Sequence, residues 1–432
     1  MKRLQEAIET LSIPIFATLL GLLVGSIFVW FAGVHPLETY TRLFCEGFGP
    51  TGCDSFSDLL MIDITDEDTG DVTYHFAPTY GEKGHSLALV LEQATPLILT
   101  ALSATVAFKA GMFSIGMDGQ FALGAVVAVF LGYWLPQQIY GLAGVANPEE
   151  ATEALQFAMR LTIPAIIIAL SALVGALYSW IAGYLKVKLN VNELISTIIL
   201  NAIAVQFVTF LLNGPLRADM NTVARTERID DTAWLMPFNR AILSEVDWFN
   251  GARLGVGIII AVIAAILLWF YIWRSTAGYE QRMTQGSRLF ARFGGIPTDR
   301  AIIRAMLISG ALSGIAGAIQ ILGVERRMVD GFVLSGTGFD GVLIAVLARE
   351  SIVAIFFVAI LYSGLQLGSI NLQFGNIPRQ LGGMIISLII LFTAMEDYFR
   401  SLIARIRLRL FGVRQIINED DNSDSAEGVQ HA

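Results

Sequence analysis

Charged residues are scarce in this chain of 432: Asp, Glu, Lys and Arg make up 15% of it, against 55% hydrophobic residues. Soluble domains carry about 25% charged residues, so the shortfall excludes an ordinary water-facing globule and points to lipid as the solvent. Cysteine and histidine are rarer still, at two and four residues. Nothing among them clusters with metal-ligand spacing, so neither a metal centre nor a thiol active site is expected. His35, His75, His85 and His431 all lie outside the long apolar runs. An intramembrane enzyme built on a polar His/Asp/Glu constellation therefore lacks its residues, and a non-enzyme without a cofactor is expected. Nucleic acid is not an expected partner; membrane lipid is.

What is abundant is uninterrupted apolar sequence. A helix crossing about 30 Å of hydrocarbon needs roughly 20 apolar residues, because its backbone must be satisfied internally. Runs free of Asp, Glu, Lys and Arg occur at Thr10–Val34, Gln93–Phe108, Gly119–Pro148, Leu161–Leu185, Leu194–Leu216 and Leu254–Trp273. Others are Ala305–Val324, Gly341–Ala348, Ser351–Pro378 and Gln380–Met395. The second reaches spanning length if Leu87–Leu91 joins it across Glu92, whereas GVLIAVLA at Gly341–Ala348 holds only 8 residues. The reading is an all-α polytopic membrane protein of about ten transmembrane segments, some short or discontinuous.

Basic residues orient it. Counted from an inside N-terminus, the inside segments hold 17 of the 28 Lys and Arg residues, whereas the loop His35–Ser86 carries ten acids against Arg42 and Lys83. Ten crossings place both termini in the cytoplasm. The expected layout is a cytoplasmic N-terminus (1–11), a first transmembrane helix (12–34) and an acidic extracytoplasmic loop (35–86). A transmembrane domain (87–399) with a basic loop at 274–300 follows, then a basic segment with an acidic, disordered tail (400–432). Lys2 and Arg3 before an apolar stretch resemble a signal peptide, but the stretch is too long and no small-x-small site follows it; a retained anchor is expected. The acidic loop contains an alternating stretch, ITDEDTGDVTYHF, that predicts a small hairpin around Thr69-Gly70. Cys45 and Cys53 share this loop on the oxidising side, either as a disulfide or as two thiols.

Ionisable or amide side chains in a span are costly and mark pathways by default. Glu92, Asp118, Gln120, Asn201 and Asp340 are the candidates for a solute path, while Gln206, Gln320 and Gln366 read better as interhelical hydrogen-bond partners. No Asp/Glu/His series runs through successive spans as a proton relay would. Gly310/Gly314 and Ser313/Gly317 repeat at i,i+4 and predict a close helix–helix approach. The crowded glycines of FKAGMFSIGMDGQF and the short GVLIAVLA segment predict broken helices, which membranes tolerate only where the backbone is buried in protein or lines a cavity. In WRSTAGYEQRMTQGSRLFARFGGIPTDR, the LFARF stretch predicts a short amphipathic helix ended by Gly294-Gly295 and Pro297.

Four of these segments resemble one family in order and spacing. SIGMDGQF is similar to the N-I-G-x-E-G-Q signature of ABC permeases in the ribose/branched-chain-amino-acid superfamily. NVNELISTIILN and GFDGVLIAVLARESIVAI resemble segments of its nucleoside or simple-sugar branch, and YEQRMTQGSRLFARFGGI looks like that branch's coupling segment. The likeness runs from about Leu87 to Tyr398. It implies a permease subunit of an importer, integral to a prokaryotic cell membrane. Its implied partners are a second permease, cytoplasmic ATP-binding subunits and an extracytoplasmic solute-binding protein. By this resemblance Arg282, Ala291, Arg292, Gly295 and Ile296 would rest on the ATPase. No G-x-x-x-x-G-K-[ST] pattern occurs, so ATP hydrolysis is expected on another chain. Ser114 and Asp118 replace the family's Asn and Glu, Gln285 its Gly and Arg288 its Pro. An ion-coupled secondary transporter is the alternative reading.

Overall fold

The computed structural model describes residues 20–49, 61–65, 72–76, 85–144, 152–218, 223–236, 254–372 and 378–395. Residues 1–19, Cys53 and the tail beyond 395 lie outside the described residues, so the expected anchor start and tail are not addressed by it.

The long apolar runs are helical, as the need for internal hydrogen bonding in lipid requires, even where Pro96, Pro136 and Pro164 fall inside them. They form α1 (Leu20–Phe31), α3 (His85–Phe108), α4 (Met117–Ala143), α5 (Glu153–Leu189), α6 (Glu193–Asn213) and α7 (Gly257–Arg274). Between α1 and α3 lie α2 (Pro36–Phe48) and two strands, β1 (Met61–Thr65) and β2 (Val72–Phe76). After α7 come α8 (Thr276–Gly286), α9 (Arg288–Phe293), α10 (Thr298–Ile319, prolonged by a π turn over Gln320–Glu325), α11 (Thr337–Leu347), α12 (Ile352–Asn371) and α13 (Arg379–Ala394). The strands pair antiparallel with Met61 opposite Phe76 and Thr65 opposite Val72, which is the hairpin expected from the alternating stretch. Cys45 is buried on α2 and its sulfur is disulfide-bonded.

Each of the ten charge-free runs contains a helix. Seven of these helices are long and apolar enough to cross a membrane: α3 to α7, α10 and α12. The other three, α1, α11 and α13, are shorter within the described residues. α11 begins at Thr337, four residues before the charge-free run Gly341–Ala348, because Asp340 lies in its first turn. Its 11 residues make about 16 Å of helix, half of a crossing. α3 likewise continues straight through Glu92.

The chain divides into two compact units, Met1–Thr39 with Ile377–Ala432, and Tyr40–Asn376. In the first, Gly21 of α1 lies against the backbone of Ile389 in α13. In the second, α3 is central, with 78% of its apolar stretch buried, while α5, α6 and α7 bury only 22–28% of theirs and present Leu and Ile outward. α10 packs most extensively on α5. A Cβ on Gly310 would strike the carbonyl of Gly175, one on Gly175 the carbonyl of Gly310, and one on Gly314 the carbonyl of Ser171. These positions hold glycine because the two backbones touch, as the small-residue spacing predicts. Hydroxyls tie the neighbouring helices to this pair: Ser171 Oγ of α5 donates to Gly124 O of α4 at 3.0 Å, and Ser103 Oγ of α3 to Ser309 O of α10 at 2.6 Å.

Gly310→Val should therefore force α5 and α10 apart and destabilise by roughly 1–3 kcal/mol or more. Thermal unfolding in detergent checks this against Gly141→Ala on α4, where a Cβ meets open space and the expected change is a gain of at most about 1 kcal/mol.

Candidate functional site

Two helix ends meet inside the larger unit. The first is the break between α3 and α4, Lys109–Gly116, and the second is the start of α11 at Thr337. Asn201 of α6 holds the break from one side: its Nδ2 donates to Ile115 O at 2.6 Å and its Oδ1 accepts from Gly119 N at 2.9 Å. Thr197, one turn earlier on α6, accepts from Ile115 N at 3.3 Å. From α10, Ser313 Oγ donates to Met117 O at 2.8 Å.

The N-terminus of α11 has no cap of its own, since the residue before it is Gly336, with φ 72°. Asp118, in the first turn of α4, supplies one from outside: its Oδ1 accepts from Phe339 N at 3.1 Å, and it also accepts from Gly338 N. Gly338 is pressed against the backbone of Asp118 so closely that any Cβ there would collide with it. Thr100 of α3 meets Gly341 of α11 in the same way, and its Oγ1 donates to Thr337 O at 3.4 Å. Asp340, next to Phe339, accepts a hydrogen bond from Tyr362 of α12 and feels the charge of Asp118. Among the described residues neither carboxylate is in an ion pair. The result is a half-buried pair of carboxyl groups between two interrupted helices, beside the half-exposed ring of Phe339.

The stretch between α7 and α10 forms a second feature. Arg282 stacks on Trp273 with its guanidinium 4.5 Å from the ring centroid. Ser287 caps α9 by accepting from Phe290 N at 3.3 Å. Arg288 donates to Asp299 at 2.9 Å, tying the start of α9 to the start of α10. Ala291 is buried, while Leu289, Phe290, Arg292 and Phe293 face outward, Phe293 almost fully. α9 ends at Gly294, with Gly295 at φ 79°.

A family model described as branched-chain amino acid transport system / permease component matches residues 86–394. The chain belongs to this family. With its apolar helices, it is an integral, multi-pass membrane protein and a transport component. It is 28% identical to a guanosine ABC transporter permease protein of Bacillus subtilis, over 93% of this chain and 98% of that one. It is 27% identical to a nucleoside ABC transporter permease protein of Lactococcus lactis over 89% and 90% of the two chains. A glucose ABC transporter permease protein of Haloferax volcanii is 25% identical over 90% and 88%. Each of the two bacteria supplies a second, more distant match bearing the same kind of name. No solved structure matches.

In this permease the structure brings together four of the five residues read as a path: Asp118, Asp340, Asn201 and Gln120. Asp118 and Asn201 are, however, occupied in holding broken backbone. Gln120 is buried beside Gly116, and its Oε1 has no hydrogen-bond partner among the described residues. Glu92 is buried on α3 eight residues before Thr100, about 12 Å along the axis. Of the five loop residues, Arg292 and Gly295 are exposed, Ile296 is half-buried, and Ala291 and Arg282 are turned inward or onto Trp273. Sequence reasoning missed Thr100, Thr197 and Tyr362, and it missed Leu289, Phe290 and Phe293 as the open face of α9. The i,i+4 spacing of Thr197 and Asn201 was a usable signal; no local pattern marks Thr100 or Tyr362.

Asp118→Ala should leave the start of α11 uncapped at a cost of about 1 kcal/mol, whereas Asp118→Asn, which keeps an acceptor oxygen, should lose little. Amide hydrogen exchange at Phe339 and Asp340 checks this, rising in the first variant and staying near wild type in the second.

Proposed function

We propose that this permease is one of two membrane subunits of an ATP-driven importer for nucleosides or simple sugars. A solute-binding protein delivers the solute on the outside, and an ATP-binding subunit drives the step from the cytoplasm. The observation that carries this reading is α9. It is a short helix outside the spans, anchored by Ala291 and Ser287, with Leu289, Phe290 and Phe293 on its open face. Large apolar side chains displayed in this way, beside Arg292, have the character of a protein-docking site. Placed in the cytoplasm by the arginines that flank it, Arg274 to Arg304, α9 fits an ATPase groove. That assignment also puts both termini inside and requires α1, α11 and α13 each to count as a passage through the bilayer.

The chemistry of the site supports the solute class. Asp118 and Asp340 present carboxylate oxygens without a balancing cation, which suits the hydroxyl donors of a ribose or hexose and opposes an anionic solute. Phe339 adds a ring face on which a base or sugar could stack. The names of the relatives agree, being nucleoside, guanosine and glucose permeases. The two permeases matched in each of two bacteria support a heterodimer, the second subunit being a paralogue.

Proteoliposomes holding this chain, its partner permease, its ATPase and its binding protein test the reading with radiolabelled nucleosides and sugars. Uptake of one solute should require ATP and every component. Phe293→Glu and Arg292→Glu should reduce it by roughly tenfold or more, the order expected when an interface anchor is lost, and should release the ATPase on purification. Uptake by this chain alone, driven by a sodium or proton gradient and indifferent to ATP, would instead establish a secondary transporter.

A further inference from the structure

α9 displays the open face, but α8 makes the contacts with the interrupted helices. The last carbonyls of a helix lack intrahelical partners and must find others. At the end of α3, Thr105 O accepts from Lys109 N, Ala107 O from Ala110 N and Met112 N, and Phe108 O from Gly111 N. Val106 O is left over. Gln281 of α8, fully buried, supplies the donor: its Nε2 lies 2.6 Å from Val106 O. The same side chain is oriented from behind, because Tyr271 Oη donates to its Oε1 at 3.0 Å. Tyr271 in turn accepts from Arg304 Nε at 3.1 Å, and Arg304 also donates to Ala277 O at 3.0 Å and Glu280 at 2.9 Å.

One turn further along α8, Thr284 O and Gln285 Cα lie against Gly111, in the α3–α4 break. Gln285 Nε2 donates to Glu350 Oε2 at 3.1 Å, and Lys109 reaches that same oxygen at 3.4 Å. Glu350 belongs to the turn between α11 and α12, where it and Arg349 both take left-handed backbone angles, φ 57° and 51°. Residues with a Cβ hold that conformation only when their surroundings enforce it. α8 therefore touches the two elements that carry the carboxylates: the break leading to Asp118 and the far end of the helix bearing Asp340.

We propose that Gln281 and Gln285 of α8 are positioning residues that join the end of α3 and the α11–α12 turn, so that the two interrupted helices move as one unit. The inference rests on the importer reading for its direction of drive. In that reading, closure of the ATPase pushes α9, and α8 passes the displacement to both broken helices together. Gln281 captures the α3 end by its only spare carbonyl, and Gln285 captures the strained turn. Neither residue touches the open face of α9, so neither is needed for docking itself.

The test compares Gln285→Ala, an exposed side chain whose loss leaves the core intact, with Gln281→Leu and with Tyr271→Phe, which removes only the hydroxyl behind Gln281. In the complete reconstituted complex, ATP hydrolysis is measured beside solute uptake. Each variant should bind the ATPase normally and hydrolyse ATP, while solute moved per ATP falls by roughly fivefold, within the range given by substitutions along a coupling route. An unchanged ratio in Gln285→Ala and Tyr271→Phe would overturn the proposal even if Gln281→Leu failed to assemble. A second arm uses the permease alone. Amide exchange in Gln285→Ala should rise both at 348–351 and at 109–112, since the two segments are joined through α8. A rise confined to 348–351 would refute the joining. If the wild-type complex shows no ATP-dependent uptake, the importer reading fails, and the exchange arm still decides whether α8 links the two segments.

Discussion

A helix that stops inside protein at membrane depth leaves backbone N–H and C=O groups with no water to turn to, and each must be met by another part of the chain. That requirement organises the site. α11 begins without a cap, and Asp118 from α4 provides one. α4 begins after a run of glycines, and Asn201 and Thr197 from α6 hold that run at Ile115 and Gly119. α3 ends with one carbonyl unspent, and Gln281 takes it. Polar side chains that stand out in an apolar sequence are here largely the caps of neighbouring helices.

Such tertiary caps have a mechanical consequence. A helix capped by its own Ser or Asp can shift as a rigid rod without breaking a bond, whereas one capped by another helix is tied to it. Because Asp118 and Gly338 touch, α4 and α11 share a position, and through α8 they share it with the short helix α9. Around them α5 and α10 meet backbone to backbone at Gly175, Gly310 and Gly314. Without side chains between them these two helices cannot slide or repack easily. The structure thus sets a rigid pair beside a linked set of broken pieces, an arrangement suited to opening and closing a path.

Charge in the described residues is distributed in a pattern. Positive charge is concentrated in the loops, and in the described interior it is met by acids: Lys109 with Glu350, Lys186 with Glu193 and Arg304 with Glu280. Asp118 and Asp340, between the interrupted helices, are instead met by N–H and O–H donors. An acceptor of that kind is favourable to hydroxyl donors and unfavourable to carboxylates or phosphates.

Much of the architecture is determined by sequence, for a simple reason. Lipid solvation demands long apolar runs, and charge-free stretches reveal them without knowledge of any contact. All ten runs contain helices, the alternating ITDEDTGDVTYHF stretch forms a hairpin, and the Gly310/Gly314 spacing marks a close crossing. Charge counting misplaced helix ends that hold a charge, as at Glu92, Asp118 and Asp340 and at Arg160, Lys186 and Arg304, because a charged side chain that is paired, hydrogen-bonded or at the membrane surface does not end a helix. The roles of the polar residues were decided by the tertiary structure. Asp118 and Asn201 read as pathway groups in sequence, and Gln281 and Tyr362 did not stand out at all. Which backbone group a side chain meets depends on partners 82 to 221 residues away, and no local spacing encodes a pairing across that distance.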